Sequence, residues 1–165
     1  HSFFTWQLDR RGINIQGGRE SGLIATTRVA DVMSLRYTPI PLELNINGVR
    51  EKLLTAPHGE LFVVDDEGSL FGTITLADLS DGAFDHSIDD VVNARDVARL
   101  HPPVLSSDDS LERALEMMES TGEEHVGVVE DRESMKLVGF VHEIDVMVVY
   151  NRALLEARRE ERGEV

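Results

Sequence analysis

Gly72-Thr73-Ile74-Thr75-Leu76-Ala77-Asp78 returns 67 residues later as Gly139-Phe140-Val141-His142-Glu143-Ile144-Asp145. Each copy follows an apolar run, Leu61-Phe62-Val63-Val64-Asp65-Asp66 before the first and Val126-Gly127-Val128-Val129-Glu130-Asp131 before the second. Each reads as a strand, a turn, a second strand opened by a glycine, and then the first turn of a helix. An internal period of this kind decides the fold before any local signal does, because repeated units bury their apolar faces against one another.

Inside the copies, Thr75 and Asp78 support two readings. Thr-x-x-Asp is a capping box, in which the hydroxyl caps a helix and the acid three residues on reaches back to the backbone. It is also a ligand pattern, because an ionised carboxylate with two acceptor oxygens suits a vicinal diol. The second copy has His142 in place of the threonine. Imidazole is a poor N-cap, so capping accounts for Asp145 less well than for Asp78.

The flanking chain repeats as well. Val29-Ala30-Asp31-Val32-Met33 predicts a short helical turn, matched by Ala94-Arg95-Asp96-Val97, with Asp96 opposite Asp31. Residues 37–42 carry Pro39 and Pro41 and read as a short edge strand. Pro102-Pro103-Val104-Leu105 is the counterpart. Ile46, Val49, Leu53 and Leu54 stand at helical spacing, giving a helix over about 46–56 that Pro57 stops. Strands follow at 61–65 and 70–75, with a hairpin turn at Glu67-Gly68. A helix opening near Leu76 decays by Gly82, and residues 85–94 form an acidic connector. In the second copy Ser107-Asp108-Asp109 is expected to cap a helix, with Asp109 and Glu112 as its box and Leu111, Ala114, Leu115 and Met118 on one face. Gly122 ends that helix. Strands are expected at about 125–130 and 136–142, and a long final helix runs from Asp145 to about residue 159.

Composition sets the limits. Without cysteine there is neither a disulfide framework nor a thiolate metal site. No apolar run is long enough to span a bilayer. The net charge is −15, and residues 29–151 carry 25 acidic and 8 basic side chains, a net of −17. Nucleic-acid binding depends on neutralising phosphates, so such a body argues against it. No catalytic constellation is present: Ser106, Ser107 and Ser110 serve a helix start and lack a nucleophile-elbow context. His142, Glu143 and Asp145 lack the third strong ligand of a metal centre, although 142 and 145 are expected to share a helix face. His58 and His125 each precede a strand and read as loop residues. The expectation is a protein that is not an enzyme and holds no metal.

The first 28 residues differ. Phe3, Phe4, Trp6 and Leu8 precede Arg10-Arg11-Gly12, and Gly17-Gly18 marks a loop. Aromatics followed by a positive pair are what the cytoplasmic end of a transmembrane helix carries. An arm packed on the body fits the same residues equally. The chain opens on His1 and not Met, which reads as a piece of something longer.

Gly72, Thr75 and Asp78, with Gly139 and Asp145, resemble the ligand signature of the CBS domain (glycine, a hydrophobic residue, any residue, threonine or serine, two residues, aspartate). His142 departs from it. The aromatic start, Arg10-Arg11-Gly12-Ile13 and the long final helix together resemble the cytoplasmic C-terminal region of bacterial CLC chloride channels and transporters. The resemblance implies an α+β fold of two β-α-β-β-α repeats in a pseudo-twofold pair. Its parts would be a juxtamembrane arm at 1–28, repeats at 29–92 and 93–150, and a helical extension at 151–165. It implies two clefts. In one, Thr38, Ile40, His58, Gly59 and Leu61 would line a base pocket, with Asp145 and His142 at the ribose. In the other, Thr75 and Asp78 would join Val104, Glu123, Glu124 and Val126. The acids Glu123 and Glu124 disfavour a phosphate there, so the Asp145 cleft is the preferred one.

The function so implied is regulatory. The module would sense ATP, ADP or AMP, none of them required for folding, at the cytoplasmic face of a membrane. It would bias the channel or H+/Cl− transporter domain of the same chain. A homodimer is expected, through Val148, Val149, Leu154 and Leu155 of the last helix. Two alternatives stand beside this: a magnesium-sensing CBS pair and a dimerisation module without a ligand.

Overall fold

The computed structural model describes residues 26–56, 58–79, 91–161 and 163. The aromatic and Arg-Arg stretch at 3–13, Pro57, Gly82 and the acidic connector up to residue 90 lie outside the described residues. The elements in chain order are β1 (Pro39–Pro41), α1 (Ile46–Thr55), β2 (Glu60–Val64), β3 (Leu70–Thr75), α2 (Ala94–Val97), β4 (Arg99–Leu100), β5 (Val104–Ser106), α3 (Leu111–Thr121), β6 (His125–Val129), β7 (Leu137–His142) and α4 (Glu143–Glu161). Short 3-10 turns lie at Val29–Asp31 and Leu76–Leu79. The class is α+β, and the order β-α-β-β occurs twice, each time followed by a helical turn or helix. One sheet has the order β1-β2-β3-β4 and the other β5-β6-β7.

The chain forms two compact units that interleave in sequence. One holds Leu35–Val104 with Val129–Gly139; the other holds the described residues up to Ser34 with Leu105–Val128 and Phe140 onward. The lead-in to each repeat therefore packs away from its own repeat. Val29 N donates to Asp109 O at 2.8 Å, and Leu111 N to Thr27 O at 2.8 Å. In the other unit, Ala94 N donates to Leu44 O at 2.8 Å and Ile46 N to Val92 O at 3.0 Å. The match of Asp31 with Asp96 has a local cause. Asp31 Oδ2 accepts from Arg28 N at 3.0 Å and Asp96 Oδ2 from Asn93 N at 2.9 Å. Each carboxylate satisfies a backbone donor that the start of a helical turn leaves open.

In the first unit β1 runs parallel to β2, and β2 antiparallel to β3, with Glu60 opposite Thr75 and Leu61 opposite Ile74. Ile40, Leu61, Val63 and Ile74 pack with Ile46, Val49 and Leu53 of α1 in one core cluster. Each such buried side chain contributes roughly 1.5–3 kcal/mol. Pro39 and Pro41 are exposed on the edge strand, where their missing donors cost nothing. Asn45 caps α1 by accepting from Gly48 N at 2.8 Å. The hairpin turns of the two repeats meet here: Leu70 N donates to Met135 O at 2.8 Å, and Ser69 Oγ to Ser134 O at 2.7 Å.

In the second unit α3 departs from expectation at its start. The cap is Ser110, whose side chain accepts from Arg113 N at 3.1 Å. Asp109 instead accepts from Ser106 N at 2.9 Å, so Asp109 and Glu112 form no capping box. The burial of Leu111 decides this: a wholly buried first helical residue leaves Ser110 at the boundary. Gly122 ends α3 in the left-handed conformation, φ 74°, as its position predicts. His142 belongs to β7 and not to a helix, so it does not share a helix face with Asp145. His125 is the first residue of β6 and half-buried, not a loop residue.

Candidate functional site: two motifs with unequal aspartates

β3 ends at Thr75, and the 3-10 turn that follows carries Asp78 back beneath it. Asp78 Oδ2 accepts from Thr75 N at 2.7 Å and from Thr75 Oγ1 at 3.1 Å. This is the reach-back expected of a capping acid. A cation stands beside it. Arg99 of β4 places Nε 3.7 Å from Asp78 Oδ2 and one terminal nitrogen 3.9 Å from Glu60 Oε2. The same terminal nitrogen donates to Thr73 Oγ1 at 3.4 Å. Arg99 is about half exposed, whereas Glu60 and Asp78 are mostly covered. Thr73 and Thr75, two residues apart on β3, lie on one face of the sheet.

Gly72 explains how Arg99 comes so close. β4 pairs antiparallel to β3 with Gly72 opposite Leu100 and Thr73 opposite Arg99. A Cβ at Gly72 would stand 2.5 Å from the Arg99 carbonyl oxygen and 3.0 Å from Ala98 Cβ. The motif glycine is thus a place of close backbone approach. Arg99 is the residue the sequence reading missed. It lies 21 residues beyond Asp78, past the connector, and no spacing rule joins the two.

The second motif is arranged differently. His142, in the place of Thr75, stacks its ring on His125 with centroids 4.4 Å apart and planes 11° apart. His125 also lies 5.9 Å from the ring of Phe140. Glu60 and Thr75 of the first repeat have been replaced by this imidazole pair. Asp145, in the first turn of α4, is exposed, and its carboxylate makes no hydrogen bond or ion pair among the described residues. The start of α4 is tied down instead through Glu143 N, which donates to Glu124 O at 2.9 Å.

The other expected residues divide between the units. Thr38, Ile40, His58, Gly59, Leu61, Thr75, Asp78 and Val104 fall in the first; Glu123, Glu124, Val126, His142 and Asp145 fall in the second. Ile40 and Leu61 are buried in the core cluster, so what they can offer a ligand is backbone. Thr38 O accepts from Phe62 N at 3.2 Å. His58 and Gly59 are exposed, and Gly59 has φ 68° with open space where a Cβ would stand. Val126 is buried, Val104 and Glu123 are half-buried and Glu124 is exposed. Among the described residues no three His, Asp or Glu side chains group so as to hold a metal ion. No helix among them is long and apolar enough to cross a membrane.

Two β-α-β-β units, each ending in a Gly-to-Asp motif, define a tandem pair. The CBS domain model matches residues 29–83 and 94–152, and the chain belongs to the CBS family. It is similar to solved structures at the level of fold. CBSX2 in complex with AMP is 24% identical, with TM-score 0.63 over 81% of this chain and 99% of that one. The cytosolic domain of the Mg2+ channel MgtE in complex with ATP is 23% identical, TM-score 0.63, covering 74% and 48%. An uncharacterized conserved protein from Pyrococcus horikoshii is 17% identical, TM-score 0.65, covering 88% and 61%. The chain thus spans about half to three fifths of the length of the last two. A comparison with curated proteins finds no match.

Proposed function

We propose that the chain is the nucleotide-sensing CBS pair of a membrane transport protein. In this reading it lies at the cytoplasmic face, attached to a CLC-type chloride channel or H+/Cl− transporter domain, and biases transport when an adenine nucleotide binds. The observation that carries the sensing is Asp145, an exposed motif carboxylate with both oxygens open. A vicinal diol is the ligand group such an acceptor takes best. His142, in the same unit as Asp145, is proposed to stand at the ribose, and in the other unit the backbone around Thr38, Ile40, His58, Gly59 and Leu61 is proposed to bind a base. The AMP and ATP complexes among the similar structures support the ligand class, and the MgtE domain supports a link to transport. The CLC assignment rests on the sequence resemblance of the two ends.

A homodimer belongs to the same proposal. On α4, Ile144, Val148 and Leu155 are exposed, while Val149 and Leu154 are half-buried. The first three recur at helical spacing and form one apolar stripe for a second copy. A second reading, magnesium sensing, draws on the net −17 of residues 29–151 and on the magnesium-channel relative. Calorimetric titration of the chain with ATP, ADP, AMP and Mg2+ separates the readings. Saturable nucleotide binding that Asp145→Asn weakens supports the first. Binding of Mg2+ alone supports the second, and silence toward all four leaves a dimerisation module.

A further inference from the structure

At the open end of the β6–β7 hairpin the chain arrives from α3 and leaves for α4. There the rings of His125 and His142 are stacked at 4.4 Å with planes 11° apart. The same place in the first repeat holds Glu60 opposite Thr75, a carboxyl and a hydroxyl, whose ordinary titration lies outside the range in which imidazole changes charge. Just beyond the rings, Glu143 N donates to Glu124 O at 2.9 Å. One ring stack and one backbone bond thus fasten the start of α4 to the head of β6. We propose that this fastening is pH-sensitive: His125 and His142 together hold one positive charge and not two, and acidification parts the stack and loosens the start of α4. The inference stands whether or not a nucleotide binds.

Both rings are half-buried, so a charge on one is poorly screened from the other. A first proton is tolerated. Phe140 places its ring 5.9 Å from that of His125, within reach of a cation–π contact. The elements around the pair also supply mainly acids: Glu119 in the last turn of α3, Glu123 and Glu124 in the loop before β6, and Glu143 and Asp145 at the start of α4. The lead-in, paired with β7 through Ser34 and Phe140, adds Arg36 and also Asp31, whose carboxylate is taken by the Arg28 amide. A second proton meets the first across the stack, where two imidazoliums face to face repel. Each ring has further interactions. These alter how readily it takes a proton and leave the repulsion in place. In the unfolded chain the two histidines are protonated independently, whereas the folded pair resists the second proton. The folded state therefore binds fewer protons in acid, and the fastening weakens as pH falls. With both rings charged the stack parts and the Glu143–Glu124 bond opens more often. α4 carries the exposed Ile144, Val148 and Leu155, so the proton is read on the face offered to a second copy.

The test is a titration of the full chain from about pH 8 to about pH 5, with the histidine ring and backbone amide signals followed by NMR. The two rings are expected to take up protons in two separated steps, each step moving both signals. In the lower step the Glu143 amide is expected to lose at least about tenfold of its exchange protection. The Thr75 amide, held by Asp78 in the first repeat, should keep its own. His142→Thr puts the first repeat's residue into the second motif. It is expected to leave His125 a single step and the Glu143 amide protected throughout; His125→Gln, read on His142, serves should that variant not fold. One independent step per ring in the wild type, or undiminished Glu143 protection at about pH 5, overturns the inference. So does a loss of protection that survives in His142→Thr, which would place the effect on the carboxylates of the loop and of α4.

Discussion

Gly72→Ala tests the contact on which the first motif is built. The new methyl group would meet the Arg99 carbonyl oxygen at 2.5 Å and the Arg99 carbonyl carbon at 3.3 Å. Carbon–oxygen contacts between strands settle at about 3.3–3.6 Å, so β4 must retreat by roughly 1 Å. Both partners are backbone, and neither can swing aside as a side-chain end would. Overpacking of this kind costs about 1–3 kcal/mol. The alanine also narrows the unfolded ensemble, which offsets about 0.4–1 kcal/mol. The expected net loss is about 1–2 kcal/mol, read as a lower urea midpoint with unchanged slope. Hydrogen exchange locates the damage: the amides of β3 and β4 should lose protection, and those of α3 should not. Gly59→Ala is the control. Its cost comes from φ 68° in open space, so it should destabilise without exposing β4. Gly72→Ala with stability within about 0.5 kcal/mol of wild type and β4 still protected would refute the close-approach argument.

Asp145→Asn is expected to weaken adenosine binding about tenfold, on the order of 1.5 kcal/mol or more, because it removes an ionised acceptor from a diol; calorimetry reads it directly. Asp78→Asn is expected to lower stability by about 1 kcal/mol through the lost reach-back to Thr75, measured by thermal melting. The chain should scatter light as a dimer at high micromolar concentration. Val148→Glu with Leu155→Glu should make it a monomer, and an unchanged mass would refute the stripe. The Asp131 carboxyl is held below its ordinary value of 3.8, first by the Ser134 amide and also by that of Glu133. A lowered folded value means that its support for the turn is complete above the ordinary carboxylate range. That support fades as pH falls through the folded value, below 3.8. The Glu133 and Ser134 amide resonances should therefore shift only in strongly acidic solution.

Much of this protein was legible in its sequence, for a physical reason. Apolar alternation and turn residues act over a few positions, so they fixed the strands at 70–75, the helix from Ile46 and the stop at Gly122. The period of 67 residues carried the family and the two aspartates. Local chemistry also separated them: a threonine three residues upstream satisfies Asp78, and a histidine leaves Asp145 open. Tertiary structure decided the rest. The stacking of His142 on His125 depends on two strands lying side by side. The cap of α3 at Ser110, and not in the stretch 107–109, was set by what the core buries. Most of all, the charge beside Asp78 comes from β4, a two-residue strand whose place depends on the glycine it pairs against. A contact between residues 78 and 99 follows from strand pairing and not from spacing, and no periodicity in the sequence encodes it.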